Sequence, residues 1–223
     1  MAVTSTSTER HPAPGEVASL VDEVDRAHQR LAAMLTGLSD EQAHAPTPLP
    51  GWTRGHLITH LARHADSLTR ALTAALRGES AVQYPEGEAG RFAEIEAGAH
   101  RPAEALVADM VEANRRCLHA MRAMTPAAWR ISVHGRGGAV FPATRLVVSR
   151  WREAEVHAVD LDLGVTSADW SGRFVGHFLP EEVARLDQRA PGVRVPAGLA
   201  DHAVLAWLLG RGEPGLPDLP AWG

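Results

Sequence analysis

Two short stretches of the chain carry side chains that could do chemistry together. One is His56-Leu-Ile-Thr-His60-Leu-Ala-Arg-His64, three histidines spaced four apart, and the other is Glu153-Ala-Glu155-Val-His157. Residues four apart on an α-helix lie on one face, about one turn above each other. A glutamate and a histidine at that spacing can therefore address one metal ion, with a third ligand from a facing helix, which is how metal sites are built inside helical bundles. Two imidazoles and one carboxylate leave a coordination position open, the arrangement of a catalytic zinc site, although the same donor set also suits non-haem iron. Spacing does not decide which histidine takes part. With His56 at zero on a helical wheel, His60 falls near about 40° and His64 near about 80°. The leucines centre at roughly 100–160° on that wheel, so His64 is nearest the apolar stripe and His56 nearest the helix start. The competing reading is a solvated helix edge with no metal.

These residues need helices to position them, and the sequence supplies four long ones. Residues 1–15 are polar, rich in Ser and Thr and punctuated by Pro, and are expected to be a disordered leader. From Glu16, apolar residues recur at helical spacing as far as Leu35, and Gly37 stops the run. Ser39-Asp40-Glu41-Gln42 has the form of a capping box for a short helix. Thr53 is the expected N-cap of a second long helix that runs on Leu57, Leu61, Leu68, Leu72 and Leu76 to about Arg77. A loop from Glu79 to Arg101 follows, holding the single tyrosine, Tyr84, and room for a short helix over 91–99. Pro102 suits the first position of a third long helix ending near Met124. Residues 130–141 alternate around a Gly-rich turn, a hairpin signal. The fourth long helix spans about Pro142 to Leu163 on Leu146, Val147, Trp151, Ala154, Ala158 and Leu161.

The expected fold is mainly α: a four-helix bundle over 16–165, followed by a small, abbreviated α+β domain over 166–223 whose extended piece is Val193 to Val195. Trp170, Trp207 and Trp222 are expected in the core of that tail rather than in an interface.

Composition narrows the function classes. The 223 residues carry a net charge of −5, with 22 basic residues that are all arginine. The absence of lysine excludes a lysine nucleophile or Schiff base. An acidic chain with no basic helix argues against nucleic-acid binding and a regulator of transcription. A single cysteine, Cys117, allows no internal disulfide and no cysteine-rich zinc knuckle. No apolar run reaches the roughly 18 residues of a membrane span and no secretory signal opens the chain, so a cytoplasmic monomer or homodimer is expected, with no membrane partner.

Gly51-Trp52-Thr53-Arg54-Gly55-His56-Leu57, together with Arg152-Glu153-Ala154-Glu155-Val156-His157-Ala158-Val159-Asp160-Leu161, resembles the two hallmark segments of mycothiol-dependent maleylpyruvate isomerases, within the DinB-like metalloenzyme superfamily. Trp129, the hairpin with Gly135-Arg136 and the Pro142-Ala143 entry to the fourth helix fall in the same order. In the tail the likeness is confined to Leu209-Gly210-Arg211-Gly212. The resemblance implies a DinB-like bundle with a zinc ion held by His56, Glu153 and His157, with His60 and Asp160 as supporting residues that orient the ligands. It implies that Arg211 serves the active site alongside His56, and Arg91 is a further candidate for substrate binding, because a guanidinium binds carboxylates bidentately. It also implies a reaction in aromatic catabolism: the thiol of mycothiol adds to the cis double bond of maleylpyruvate, the bond rotates, and expulsion of the thiol leaves fumarylpyruvate. On this scheme Cys117 only packs. Two other readings compete: a mycothiol-dependent S-transferase acting on another electrophile, and a metal-binding bundle with no turnover. The tail looks shorter in sheet than the resemblance leads one to expect.

Overall fold

The structure is a computed structural model that describes residue 12 and residues 14–220. Most of the expected leader, and Trp222, lie outside the described residues. Helix α1 is Pro14–Met34, with Val17, Leu20, Val21, Val24, Ala27 and Leu31 turned into the core. Helix α2 is Asp40–His44, opened by the Ser39–Gln42 capping box. A bridge between Pro46 and Thr53 closes the turn that leads to α3, Arg54–Leu76. Helix α4 is Gly87–Ala99, starting four residues earlier than the apolar spacing suggests. Helix α5 is Ala103–Ala123, and Pro102 stands at its N-cap rather than inside its first turn. Helix α6 is Thr144–Asp160. In the C-terminal stretch, α7 is Gly172–Arg189 and α8 is Asp201–Leu208.

The described chain falls into two compact units that meet between Leu163 and Gly164. In the first, α1, α3, α5 and α6 form the four-helix bundle, with α1 and α3 each packed against both α5 and α6. The hairpin is present: β2, Ser132–His134, pairs antiparallel with β3, Val140–Pro142. Its turn places Gly137 and Gly138 at φ of +62° and +80°, a region open to glycine and costly for other residues. A two-residue strand not foreseen in the loop, β1 (Ala81–Val82), joins β2 in parallel. It is too short to show alternation, so no sequence period marks it.

The second unit is helical. Val193 to Val195, expected to be extended, forms no strand, and every described strand lies in the first unit. Pro191 and Pro196 flank the segment and offer no N–H to a ladder. Val193 instead packs on an apolar cluster of Leu186, Ala190, Val204, Trp207 and Leu208. Trp207 and Trp170 are both buried. The Trp207 indole N–H donates to the Pro217 carbonyl at 2.7 Å, and the Trp170 ring packs at a tilt against Phe174.

One close approach in the first unit limits substitution. A Cβ at Gly55, in the first turn of α3, would lie 2.1 Å from the carbonyl oxygen of Ala99 at the end of α4. Backbone meets backbone there, so no side chain can yield. Gly55→Ala is expected to destabilise the chain by about 1–3 kcal/mol, as overpacking does, with thermal melting lowered by several degrees. A melting temperature unchanged within a degree would show that α4 can move away without penalty.

Candidate metal centre

Helix α3 starts where Thr53 caps it. The Thr53 hydroxyl lies 3.4 Å from the His56 amide, which it accepts, and the His56 ring folds back so that its Nδ1 is 2.7 Å from that hydroxyl. His56 thus fills the place that Glu or Gln takes in a capping box. One turn on, His60 points into the bundle and is buried. Its Nε2 lies 2.9 Å from Oε2 of Glu153 on α6. His157, one turn beyond Glu153, brings its own Nε2 to 3.2 Å from the same oxygen. The His60 and His157 rings stand nearly perpendicular, 86° apart with centroids at 5.0 Å. One ligand atom from each of His60, Glu153 and His157 falls within 4.8 Å of the others, a spread that one ion can bridge.

Two contacts orient the imidazoles. Asp160, buried and three residues after His157, lies 2.8 Å from His157 Nδ1. A carboxylate on the outer nitrogen of a ligating histidine fixes its orientation and raises its basicity. Arg91, on α4, brings a guanidinium nitrogen to 3.1 Å from His60 Nδ1. Burial pushes the His60 imidazole down to about 4, against the opposing pull of Glu153. Burial also works against a charged His157, but its hydrogen bonds with Asp160 and Glu153 win and hold it above the usual histidine range. Glu153 is held well below the usual carboxylate range: burial opposes this, and His64, His157 and His60 outweigh it.

Of the ligands that the sequence resemblance implies, Glu153 and His157 are therefore brought together, and the third place is occupied by His60. His56, implied as a ligand, lies one turn away and faces Glu96 of α4 at 3.2 Å and the ring of His100 at a centroid distance of 5.4 Å. The physical reason is the cap: the His56 ring is held at the helix start by Thr53, while the next turn is the first that faces α6. Glu155, in the same motif, turns towards α1 and pairs with Arg30 and the Trp151 indole N–H. Arg211 lies in the second unit, where its guanidinium donates to the Leu209 carbonyl at 2.5 Å.

Several further residues surround the centre. His64 is fully enclosed and next along α3 to the His60 ring, at 6.1 Å between centroids. Arg150, also on α6, is entirely buried. It donates to His28 Nε2 at 2.9 Å, to the Leu61 carbonyl at 3.0 Å and to the Asn114 side-chain oxygen, and it lies 3.2 Å from His64 Nδ1. All four partners are neutral. Trp52 packs its ring edge-on to His60 at 5.6 Å. The Tyr84 phenol is raised by burial and lies beside Ser67 and Arg91. Trp52 and Tyr84 belong to motifs already visible, but Arg150 gives no sequence signal, because an arginine on an amphipathic helix is ordinarily read as solvated.

A four-helix bundle with two histidines and a glutamate converging between α3 and α6 defines a candidate metalloprotein of the helical-bundle type. The chain belongs to the family of the mycothiol maleylpyruvate isomerase N-terminal domain, whose sequence pattern matches residues 24–162. In fold it is similar to the crystal structure of the mycothiol-dependent maleylpyruvate isomerase, with a TM-score of 0.81 and 24% identity over 92% of this chain and 97% of that one. A histidine-to-alanine mutant of that isomerase superposes with a TM-score of 0.82 and 23% identity, over the same shares of the two chains. No curated protein matches the chain in sequence. Among the described residues no helix is long and apolar enough to cross a membrane.

Proposed function

We propose that the chain is a metal-dependent, mycothiol-dependent cis–trans isomerase that converts maleylpyruvate to fumarylpyruvate. The observation that carries this reading is the convergence of His60, Glu153 and His157 in a member of this family. The donor set fits the group: two imidazole nitrogens and one carboxylate are what a catalytic zinc ion takes when one position stays open, and Asp160 supplies the outer hydrogen bond such a site needs. His60, Glu153 and His157 would hold the ion, with zinc favoured by the family. When bound, the ion supplies a Lewis-acid position and lowers the pKa of a thiol that reaches it, and mycothiol supplies that thiol.

The chain's own residues then have four tasks. Asp160 fixes the His157 ring so that Nε2 faces inward. Burial of His60 keeps its imidazole neutral, the form that ligates. Arg91, beside His60, is assigned to a carboxylate of the doubly charged substrate, which its planar fork can hold bidentately. Arg211 is assigned to substrate binding and catalysis as well, on the likeness of Leu209 to Gly212 to the family's C-terminal segment. Cys117 takes no part: it is buried in the bundle and burial pushes its thiol up to about 11, far from a usable nucleophile. The overall change is redox-neutral, since the sulfur–carbon bond that forms is broken again and one carbon–carbon double bond changes geometry.

The test is conversion of maleylpyruvate by the purified full chain with and without mycothiol, and after treatment with a chelator. Conversion that needs the thiol without consuming it, and that stops on metal removal, is the expected result. Conversion without thiol overturns the reading. Thiol consumed one-for-one with an electrophile would instead make the chain an S-transferase.

A further inference from the structure

His56 does not stand alone at the start of α3. On the neighbouring α4, Glu96 and His100 are four residues apart and so share one helix face. Glu96 reaches both histidines: Oε2 is 3.2 Å from His56 Nε2 and Oε1 is 3.3 Å from His100 Nε2. One ligand atom from each of the three lies within 4.8 Å of the others, as in the bundle centre. The two sites differ in setting. Glu96 and His100 are each 68% exposed at the side chain and His56 10%, so this group opens to water.

Two features fix its geometry before any ion arrives. His56 Nδ1 accepts the Thr53 backbone N–H at 3.2 Å and lies 2.7 Å from the Thr53 hydroxyl, which holds the ring so that Nε2 faces Glu96. The close backbone approach of Gly55 to Ala99 lets the last turn of α4 lie directly against the first turn of α3, which brings the three donors within reach of one another.

We infer that His56, Glu96 and His100 form a second divalent-metal site, separate from the bundle centre, which takes a borderline transition ion such as zinc, cobalt or nickel. Two imidazoles and one carboxylate suit those ions, whereas magnesium and calcium favour shells of oxygen. Water completes the coordination, so the site is weaker and exchanges faster than the enclosed one. An ion there ties α4 to α3, and α4 is the helix that presents Arg91 to His60, so occupancy stiffens the mount of that arginine. The inference does not depend on the isomerase reading.

The experiment is calorimetric titration of zinc into the full chain after metal removal. Wild type is expected to take two equivalents. His100→Ala and Glu96→Gln, both changes at exposed side chains that leave the fold intact, are each expected to take one, with the second weakened at least tenfold. His60→Ala is expected to keep the surface equivalent. Magnesium in place of zinc is expected to give no surface equivalent. The inference is overturned if wild type takes a single equivalent, if His100→Ala and Glu96→Gln still take two, or if His60→Ala takes none. A His60→Ala protein that retains two equivalents would count against the bundle centre while leaving the surface site standing.

Discussion

His60→Ala is expected to abolish tight metal binding and reduce isomerisation to the limit of detection, while His56→Ala keeps both the tightly held ion and measurable turnover. The difference follows from where the helix turns face. His60 reaches Glu153 across the bundle at 2.9 Å, and His56 is held back at the cap and faces α4. Removing one of three protein ligands leaves two, too few to hold an ion against a chelator, whereas removing an orienting partner is milder. Asp160→Asn is therefore expected to cost about 10–100-fold in metal affinity or activity, between the two extremes. Elemental analysis of the three variants, purified with a mild chelator wash, checks the order. Metal lost from His56→Ala and kept in His60→Ala would reverse the assignment of the third ligand.

The second large effect concerns acid. His28, His60 and His64 are all buried and all pushed below the ordinary histidine pKa of 6.5 by that burial, His60 to about 4 and the other two well below the ordinary value. A histidine whose folded pKa is depressed adds no pH-dependent penalty above 6.5. As pH falls below that value the unfolded chain takes up a proton that the folded chain refuses, so stability is lost. Each group then removes about 1.4 kcal/mol per pH unit. Acting together, the three are expected to remove roughly 4 kcal/mol from the metal-free chain between pH 7.5 and 5.5, a large share of an ordinary domain's 5–15 kcal/mol. His157 works the other way: its pKa is raised, so the stability it adds grows as pH falls towards 6.5 and offsets part of the loss above that value, while below 6.5 it is nearly constant and offsets little. Glu153 enters only below about 4.5, where protonating a depressed carboxylate removes further stability. Urea unfolding at stepped pH should show uptake of close to three protons near pH 5.5, falling by about one in His28→Gln. A curve flat from pH 7.5 to 5.5 would show that these histidines are protonated in the native state.

Much of the architecture is legible in the chain itself because its signals are local and periodic. The Ser39–Gln42 capping box, the Thr53 cap, the Gly-rich hairpin and the four apolar stripes each depend on near neighbours, and each is where the spacing puts it. The Glu153–His157 pair is readable for the same reason, being one turn of one helix. The partner across the bundle is not. His56 and His60 differ by about 40° on the wheel, and a bundle's rotation about the axis of α3 is set by packing against α5 and α6, which no local window contains. The strand β1 and the lack of a strand at Val193 to Val195 were hidden similarly: a two-residue strand has no period, and Val193 answers to a cluster built from α7 and α8. Arg150 was hidden by its residue type, since its surroundings come from three other helices.

That buried guanidinium has a consequence for how this bundle can change over generations. Arg150 is a guanidinium and stays charged at neutral pH although burial pulls its pKa down, and it is held by His28, Asn114, His64 and the Leu61 carbonyl rather than by an anion. No one of these positions can turn apolar without stranding the rest. Relatives should therefore carry the four side chains at 28, 64, 114 and 150 as a block, inherited intact or exchanged wholesale for hydrocarbon, and an alignment deep enough to show covariation should find them moving as one.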